Sequence, residues 1–287
     1  MARYWFGPAG KPISLKGDLL KAPEHLRNMG LNCMEYEAVR GVNISEDRAR
    51  RLGEEAHQHK VLMSLHAPYY INLAGRKNVV ESSVERLKQA VQASSWMGAY
   101  VVVFHPGYYR DAPSKKDAVE MVVNALKKVD EYRIEIGATS VWLGPETTGK
   151  TTQIGSLEEV VEISRRVEGV RPVVDFAHLY ARKEGKFLKD TEDVLKIVEL
   201  LAKELGEWSL KPLHVHFSKI EYGKGGERKH VELSDPDHGP SFEIVIKGLC
   251  EAGVDAVIIS ESPVLEQDAL IMKDICTHIC GASCIVE

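Results

Sequence analysis

The chain has 287 residues, 44% hydrophobic and 28% charged, with a formal net charge of −5. That balance, the absence of a long uninterrupted apolar run and the unsignal-like start MARYWFGPAG exclude a membrane-spanning or disordered chain and lead us to expect a soluble, cytoplasmic protein. The negative balance also excludes a surface coated with positive charge for nucleic acid, while leaving room for a local basic groove or for bound cations that offset carboxylates.

Eight apolar, strand-like runs follow in order: Tyr4 to Phe6, Cys33 to Val39, Leu62 to Leu65, Tyr100 to Phe104, Val141 to Leu143, Pro172 to Phe176, Leu213 to Phe217 and Ala256 to Ser260. Between them lie stretches such as ESSVERLKQAVQASSWMG, KKDAVEMVVNALKKVDEY, SLEEVVEISRRV and TEDVLKIVELLAKEL, where apolar residues recur every three or four positions. Ser156 followed by Glu159 is a capping-box signature. Strands alternating with helices imply right-handed parallel crossovers, and eight such units predict one (β/α)8 TIM barrel over residues 1–287. No GxGxxG loop follows the first strand, which argues against an open dinucleotide-binding sheet, and GPETTGKT lacks the spacing of a phosphate loop.

Six of the runs end on or just beyond a residue that can bind a metal: His66, His105, Glu146, Asp175 with His178, His214, and Glu261. They recur at intervals of roughly 30 to 47 residues, about one strand-helix unit. In a barrel the C-terminal ends of the strands share one face, so these positions are expected to converge there. Alone, Asp175 is better read as a turn cap and His178 as a packed histidine, His66 or His105 is as readily a core histidine as a ligand, and the alternative for Glu146 or Glu261 is an exposed strand-end carboxylate. Together they form a ligand set in which imidazole and carboxylate favour zinc, with manganese or iron open because ligand type biases metal identity without deciding it.

SKIEYGKGGERKHVELSDPDHGP is the longest stretch without a periodic pattern and is expected to be a working loop after the seventh strand. Five cysteines occur, three of them in CTHICGASC. The four-residue spacing could align Cys276, Cys280 and Cys284 on a helix and let them bind a metal with His278. Gly281 weakens such a helix and known zinc motifs have shorter spacings, so reduced free thiols are the expectation.

These motifs resemble the endonuclease IV family of metal-dependent apurinic/apyrimidinic endonucleases, within the xylose-isomerase-like barrel superfamily, over nearly the whole chain. The likeness rests on LHAPYYINLA, FHPG, PETTG, VDFAHLYA, HVHFSK and SESP. It implies a cluster of two or three Zn2+ ions, with Glu146, Asp175, His214 and Glu261 approaching the paired metals, His178 the third, and His66 and His105 completing the set. The family's Asp-x-His pair after strand seven has its nearest counterpart in Glu227-Arg-Lys-His230, one residue longer; Asp235, Asp237 and His238 compete for that role. His216 is expected beside the site or in the barrel wall.

Tyr69 matches a family aromatic that helps hold distorted DNA, and Arg40, Arg76, Lys150, Lys183, Lys224 and Arg228 fall in or near loops that could meet phosphates. EYEAVRGV does not reproduce the longer segment with which the family penetrates DNA. The implied activity is zinc-dependent incision of double-stranded DNA 5′ to abasic sites in base-excision repair, by a monomer without membrane partners. Glu261 and Glu146 are the expected catalytic carboxylates, Glu261 orienting the attacking water. The alternative is a metal-dependent sugar isomerase or epimerase on the related barrel, which leaves His66, His105, His178 and His230 unused. A noncatalytic DNA-binding barrel is a third reading, and the nearly complete ligand series weighs against it.

Overall fold

A computed structural model describes residues 2–286. Eight parallel strands form the barrel: β1 (Tyr4–Pro8), β2 (Cys33–Glu37), β3 (Leu62–His66), β4 (Val101–Phe104), β5 (Trp142–Pro145), β6 (Val173–Asp175), β7 (Leu213–Phe217) and β8 (Ala256–Ser260). β2 to β5 pair in sequence order, and β6, β7, β8 and β1 do the same. The two halves are joined by parallel bridges, Ala9 to Glu35 on one seam and Leu143 to Val170 with Glu146 to Val173 on the other. At the first seam β1 and β2 approach so closely that a Cβ on Gly7 would lie 1.7 Å from the Cys33 carbonyl oxygen. Only glycine lets the barrel close there.

The helices outside are α1 (Ala22–Asn28), α2 (Glu46–Gln58), α3 (Lys77–Met97), α4 (Lys115–Glu135), α5 (Leu157–Arg166), α6 (Phe176–Arg182), α7 (Thr191–Leu205), α8 (Phe242–Glu251) and α9 (Glu266–Cys280). Ser45, Ser114, Asp190 and Ser241 cap α2, α4, α7 and α8 by accepting from backbone N–H groups, and Ser156 with Glu159 closes the expected capping box on α5. None of the described helices is long and apolar enough to cross a membrane.

Side chains alternate across each strand with period two. On β8, Ala256 and Ile258 face the main core beneath the helices, whereas Val257 and Ile259 pack inside the barrel; on β4, Val102 and Phe104 face outward to helices and Val101 and Val103 inward. The interior is graded along the axis. Its lower part holds Trp5, Cys33, Leu62, Val101 and Trp142, and its upper part is charged, with Glu35, His66, Glu146, Asp175 and His216 all buried. A carboxylate or imidazole is costly there unless it is paired or coordinated, which makes the top of the barrel the place to look for chemistry.

The segment after β7 is more ordered than its composition predicts. Lys219–Gly223 and Gly226–Val231 pair as an antiparallel hairpin. The glycine-rich turn GKGG between two strand-compatible runs was the available signal. Gly226 has φ +95°, and a Cβ on it would come within 2.0 Å of the Gly149 carbonyl oxygen. This close contact lays the hairpin over the β5 loop and across the barrel mouth.

Candidate metal centre at the barrel mouth

The ends of the strands bring a set of acidic and imidazole groups into one site. Glu146 and Glu261 follow β5 and β8, Asp175 ends β6, and His216 is the fourth residue of β7. Ligand atoms of these four lie within 4.8 Å of one another. The same spacing limit joins Glu146 with His66 and His105, and Glu261 with His178 and His230. Glu146 and Glu261 therefore each belong to two overlapping groups, as bridging carboxylates between neighbouring cations would.

The hydrogen bonds dictate which nitrogen of each imidazole is free. The His66 Nδ1–H donates to the Ala67 carbonyl at 2.8 Å, and the His178 Nδ1–H donates to the Thr147 carbonyl at 2.9 Å. With Nδ1 engaged by a carbonyl in both rings, Nε2 is the nitrogen available to the site once it gives up any proton it holds. The Ser218 hydroxyl donates to the Lys219 carbonyl and accepts from His230 Nδ1 at 2.7 Å, which also turns His230 Nε2 inward. Glu35 Oε1 lies 2.9 Å from His216 Nε2, leaving Nδ1 facing Glu146 Oε1 at 3.3 Å and Glu261 Oε1 at 3.2 Å. A carboxylate or carbonyl behind each ligating imidazole is the usual support of a metal site.

Asp175 has two roles. One carboxylate oxygen caps α6 by accepting from the His178 N–H at 2.7 Å, and the other, Oδ2, is buried without a hydrogen-bond partner. Glu146 Oε1, His178 Nε2 and His216 Nδ1 are likewise buried and unpartnered. Buried polar atoms are almost always satisfied, so unsatisfied oxygens and nitrogens on one cavity are the donor set that a divalent cation requires.

The electrostatics agree. Burial favours the neutral acid at Glu146 and Glu261, yet the neighbouring imidazoles, His105 and His216 for Glu146 and His216 for Glu261, hold both carboxyls below the ordinary range. Burial also opposes charge on His216, and the surrounding Glu35, Glu261 and Glu146 raise it well above the usual imidazole value. His66 is raised to about 10 against its own burial, mainly by Glu146 and Glu37. Asp175 goes the other way, raised by burial more than His178 can lower it. So many carboxylates bind positive charge tightly, whether as protons on imidazoles or as metal ions that displace them.

The structure corrects the sequence reading in three places. His214, expected among the ligands, groups with Glu35 and His216, whereas it is His216 that stands with Glu146, Asp175 and Glu261. Both residues face the barrel interior, but His214 lies one layer deeper, its Nδ1 2.5 Å from the Tyr100 hydroxyl and its Nε2 3.2 Å from Glu35 Oε2. Asp235, Asp237 and His238 stay out of the site: Asp235 accepts from the backbone N–H groups of Asp237 and His238 and pairs with the His238 ring at 2.9 Å. His230 faces the cavity, and Glu227 Oε2 is 3.5 Å from His178 Nε2, so the hairpin brings both residues to the mouth. Glu35 and Glu37 on β2 were missed. The alternation CMEYE carried the signal, since it places both glutamates on one face of a strand.

A cavity of about 630 Å³ opens above the cluster, lined by Tyr69, His105, His178, Glu227, His230 and Glu261, with Glu37, Lys11 and Lys150 among its other walls. Tyr69 is half-exposed, its ring 5.4 Å from that of His66. Arg40, Lys224 and Arg228 are exposed and lie outside the cavity lining, with Arg228 3.4 Å from Glu221. Arg76 is 3.8 Å from Asp111, and Lys183 lines a different pocket beside α6.

Residues 23–275 match the model of the xylose isomerase-like TIM barrel family. An uncharacterised protein of Methanocaldococcus jannaschii is 38% identical over 268 residues, covering 93% of this chain and 94% of that protein. A probable endonuclease 4 of Staphylococcus carnosus is 28% identical over 194 residues, 64% of this chain and 62% of the relative. Among solved structures, endonuclease IV of Thermus thermophilus superposes with a TM-score of 0.71 at 21% identity, covering 96% of this chain and 98% of the other. A D-tagatose 3-epimerase-like protein superposes with a TM-score of 0.68 at 20% identity, covering 90% and 91%.

Proposed function

This chain belongs to the xylose isomerase-like TIM barrel family, and within it we propose that the protein is a multi-zinc phosphodiesterase that incises double-stranded DNA 5′ to abasic sites. The observation that carries the reading is the histidine excess. A minimal sugar-isomerising centre needs the carboxylate-rich set Glu146, Asp175, His216 and Glu261, yet four further imidazoles, His66, His105, His178 and His230, converge on the same carboxylates. Ligand sets that share Glu146 and Glu261 suit two or three adjacent ions better than one. When bound, such ions supply Lewis-acid charge to a phosphodiester and acidify water.

The remaining work falls to the chain itself. Glu261, at the edge of the cavity and 12% exposed, is positioned to orient the attacking water, while fully buried Glu146 holds the cluster together from below. Tyr69 offers a ring on which an unpaired sugar or neighbouring base can rest. Lys150 and Lys11 lie in the cavity wall within reach of the phosphate backbone; Arg40, Lys224 and Arg228 lie further out and would steer it.

One observation favours a second reading, a sugar epimerase. Glu37 faces the cavity, and burial with the nearby Glu35 and Glu261 raises it to about 8 against the pull of His66, which makes it a candidate proton donor. The deciding experiment treats zinc-loaded protein with a duplex bearing one abasic site, alongside an undamaged duplex and a panel of ketoses. Site-selective cutting with a 3′-hydroxyl product supports the endonuclease. No cutting, together with turnover of a ketose, supports the epimerase.

A further inference from the structure

Four of the five cysteines gather on the opposite side of the barrel from the mouth. Cys276 and Cys280 are one turn apart near the end of α9. Gly281, with φ +90°, reverses the chain into a short 3-10 turn, Ala282–Cys284, that returns Cys284 to the same spot. From there the chain runs beside β1, with the Val286 N–H donating to the Tyr4 carbonyl at 3.1 Å. The Sγ atoms of Cys276, Cys280 and Cys284 all lie within 4.8 Å of one another, Cys276 and Cys284 at 3.5 Å. Cys250, in the last turn of α8, is not part of that group. His278 faces away and donates to the Asp274 carbonyl, so it takes no part.

We propose that Cys276, Cys280 and Cys284 bind one structural soft divalent cation of the zinc class. The spacing supports a single ion. Thiolates on one tetrahedral ion, each roughly 2.3 Å from it, stand about 3.8 Å apart. A separation of 3.5 Å fits that geometry and is far wider than a disulfide bond of about 2.05 Å. A second, independent feature points into the same cluster. Tyr4, on β1, is fully buried and its hydroxyl has no hydrogen-bond partner; burial first, and then the nearby Cys280, Cys250, Cys276 and Cys284, disfavour its ionisation. A neutral thiol is a poor acceptor for that O–H, whereas a metal-bound thiolate is a good one, as outer-shell donors to coordinated sulfur usually find.

Cys276 and Cys284 are buried and Cys280 is half-buried, unlike the exposed thiols of redox switches. Binding releases their protons to solvent, and the complex weakens as pH falls. The site ties the end of α9 to the C-terminal turn beside the first strand, at the barrel face that ordinarily serves stability.

Cobalt(II) separates this site from the mouth, whose donors are nitrogen and oxygen only. The full chain, stripped of metal and held reduced with a phosphine, is titrated with Co2+. We expect a sulfur-to-cobalt charge-transfer band that saturates at one ion per chain, and its complete loss in the Cys276→Ser, Cys284→Ser double variant, while the weaker ligand-field bands of the mouth remain and show that the variant is folded. Should the double variant fail to fold, Cys280→Ser alone shifts and weakens the band. Absence of the band in the folded wild type overturns the proposal, as does its survival in the double variant. Recovery of a Cys276–Cys284 disulfide, or of iron with acid-labile sulfide, from protein purified under reductant also overturns it.

Discussion

Glu35→Gln tests the metal centre at a residue that sequence reading overlooked. Glu35 Oε2 accepts from the Ser64 hydroxyl at 2.7 Å and contacts His214, while Oε1 stands 2.9 Å from His216 Nε2, all fully buried. Glutamine keeps the shape but removes the charge that faces His216 and replaces one carboxylate oxygen by an N–H2, so either the Ser64 hydroxyl loses its acceptor or the new N–H2 meets His216 Nε2 without an acceptor. An unsatisfied buried donor costs about 1–3 kcal/mol of stability. Loss of the carboxylate behind a ligating histidine typically weakens metal binding by roughly 10- to 100-fold, or about 1.4–2.8 kcal/mol. Zinc affinity measured by competition with a chromophoric chelator, with thermal unfolding of the stripped protein alongside, checks both numbers. Zinc affinity within twofold of wild type in a folded variant would refute the assignment of His216 as a ligand supported by Glu35.

Four further outcomes follow from the same geometry. Glu261→Gln should keep the fold and lose most abasic-site incision, measured at saturating zinc; unchanged cleavage rules out its role at the water. His216→Asn should remove about one zinc per chain by elemental analysis, whereas His214→Asn should leave the zinc count intact and cost mainly stability through Glu35 and Tyr100; equal zinc loss in both contradicts the layer assignment. Gly226→Ala, with its Cβ 2.0 Å from the Gly149 carbonyl oxygen and φ at +95°, should displace the hairpin and lower the affinity of the His178–His230 ion selectively, with a local backbone strain on the order of 1–3 kcal/mol. Glu266 accepts from the backbone N–H groups of Ile13 and Ser14 at 2.9 and 2.8 Å; these outweigh burial and lower its pKa below the ordinary 4.5. A depressed carboxyl stabilises the fold above its unfolded pKa and loses that contribution as pH falls, so the stability gap between wild type and Glu266→Gln should be full at neutral pH and close progressively below about pH 4.5, as read by urea unfolding across pH.

Much of the barrel was legible because its signals are local. All eight predicted strands occur, displaced by a residue or two at their ends, since each apolar run was bounded by turn residues and separated by a helical period. That His66, His105, Glu146, Asp175 and Glu261 gather at the mouth was legible for the same reason: a polar residue at or just after the end of a buried strand marks the functional end of a barrel, and His178 follows Asp175 by three residues. Local rules failed where two residues shared the same pattern. His214 and His216 both occupy inward positions of LHVHF, and DPDH competed with ERKH on composition alone.

The sequence by itself determined the alternation of strand and helix, the face on which the polar strand ends gather and the imidazole-carboxylate chemistry of the site, because each depends on residues close together along the chain. Only the tertiary structure decided that His216 rather than His214 stands with Glu146, Asp175 and Glu261, that Glu35 and Glu37 of β2 join the interior, that the GKGG hairpin folds across the mouth with Glu227 and His230, and that Cys284 comes together with Cys276 and Cys280. Those four outcomes depend on the depth of each residue within a closed barrel and on contacts between segments distant in sequence. Period-two alternation gives the side of a strand on which a side chain lies, but not the layer at which its neighbours meet it.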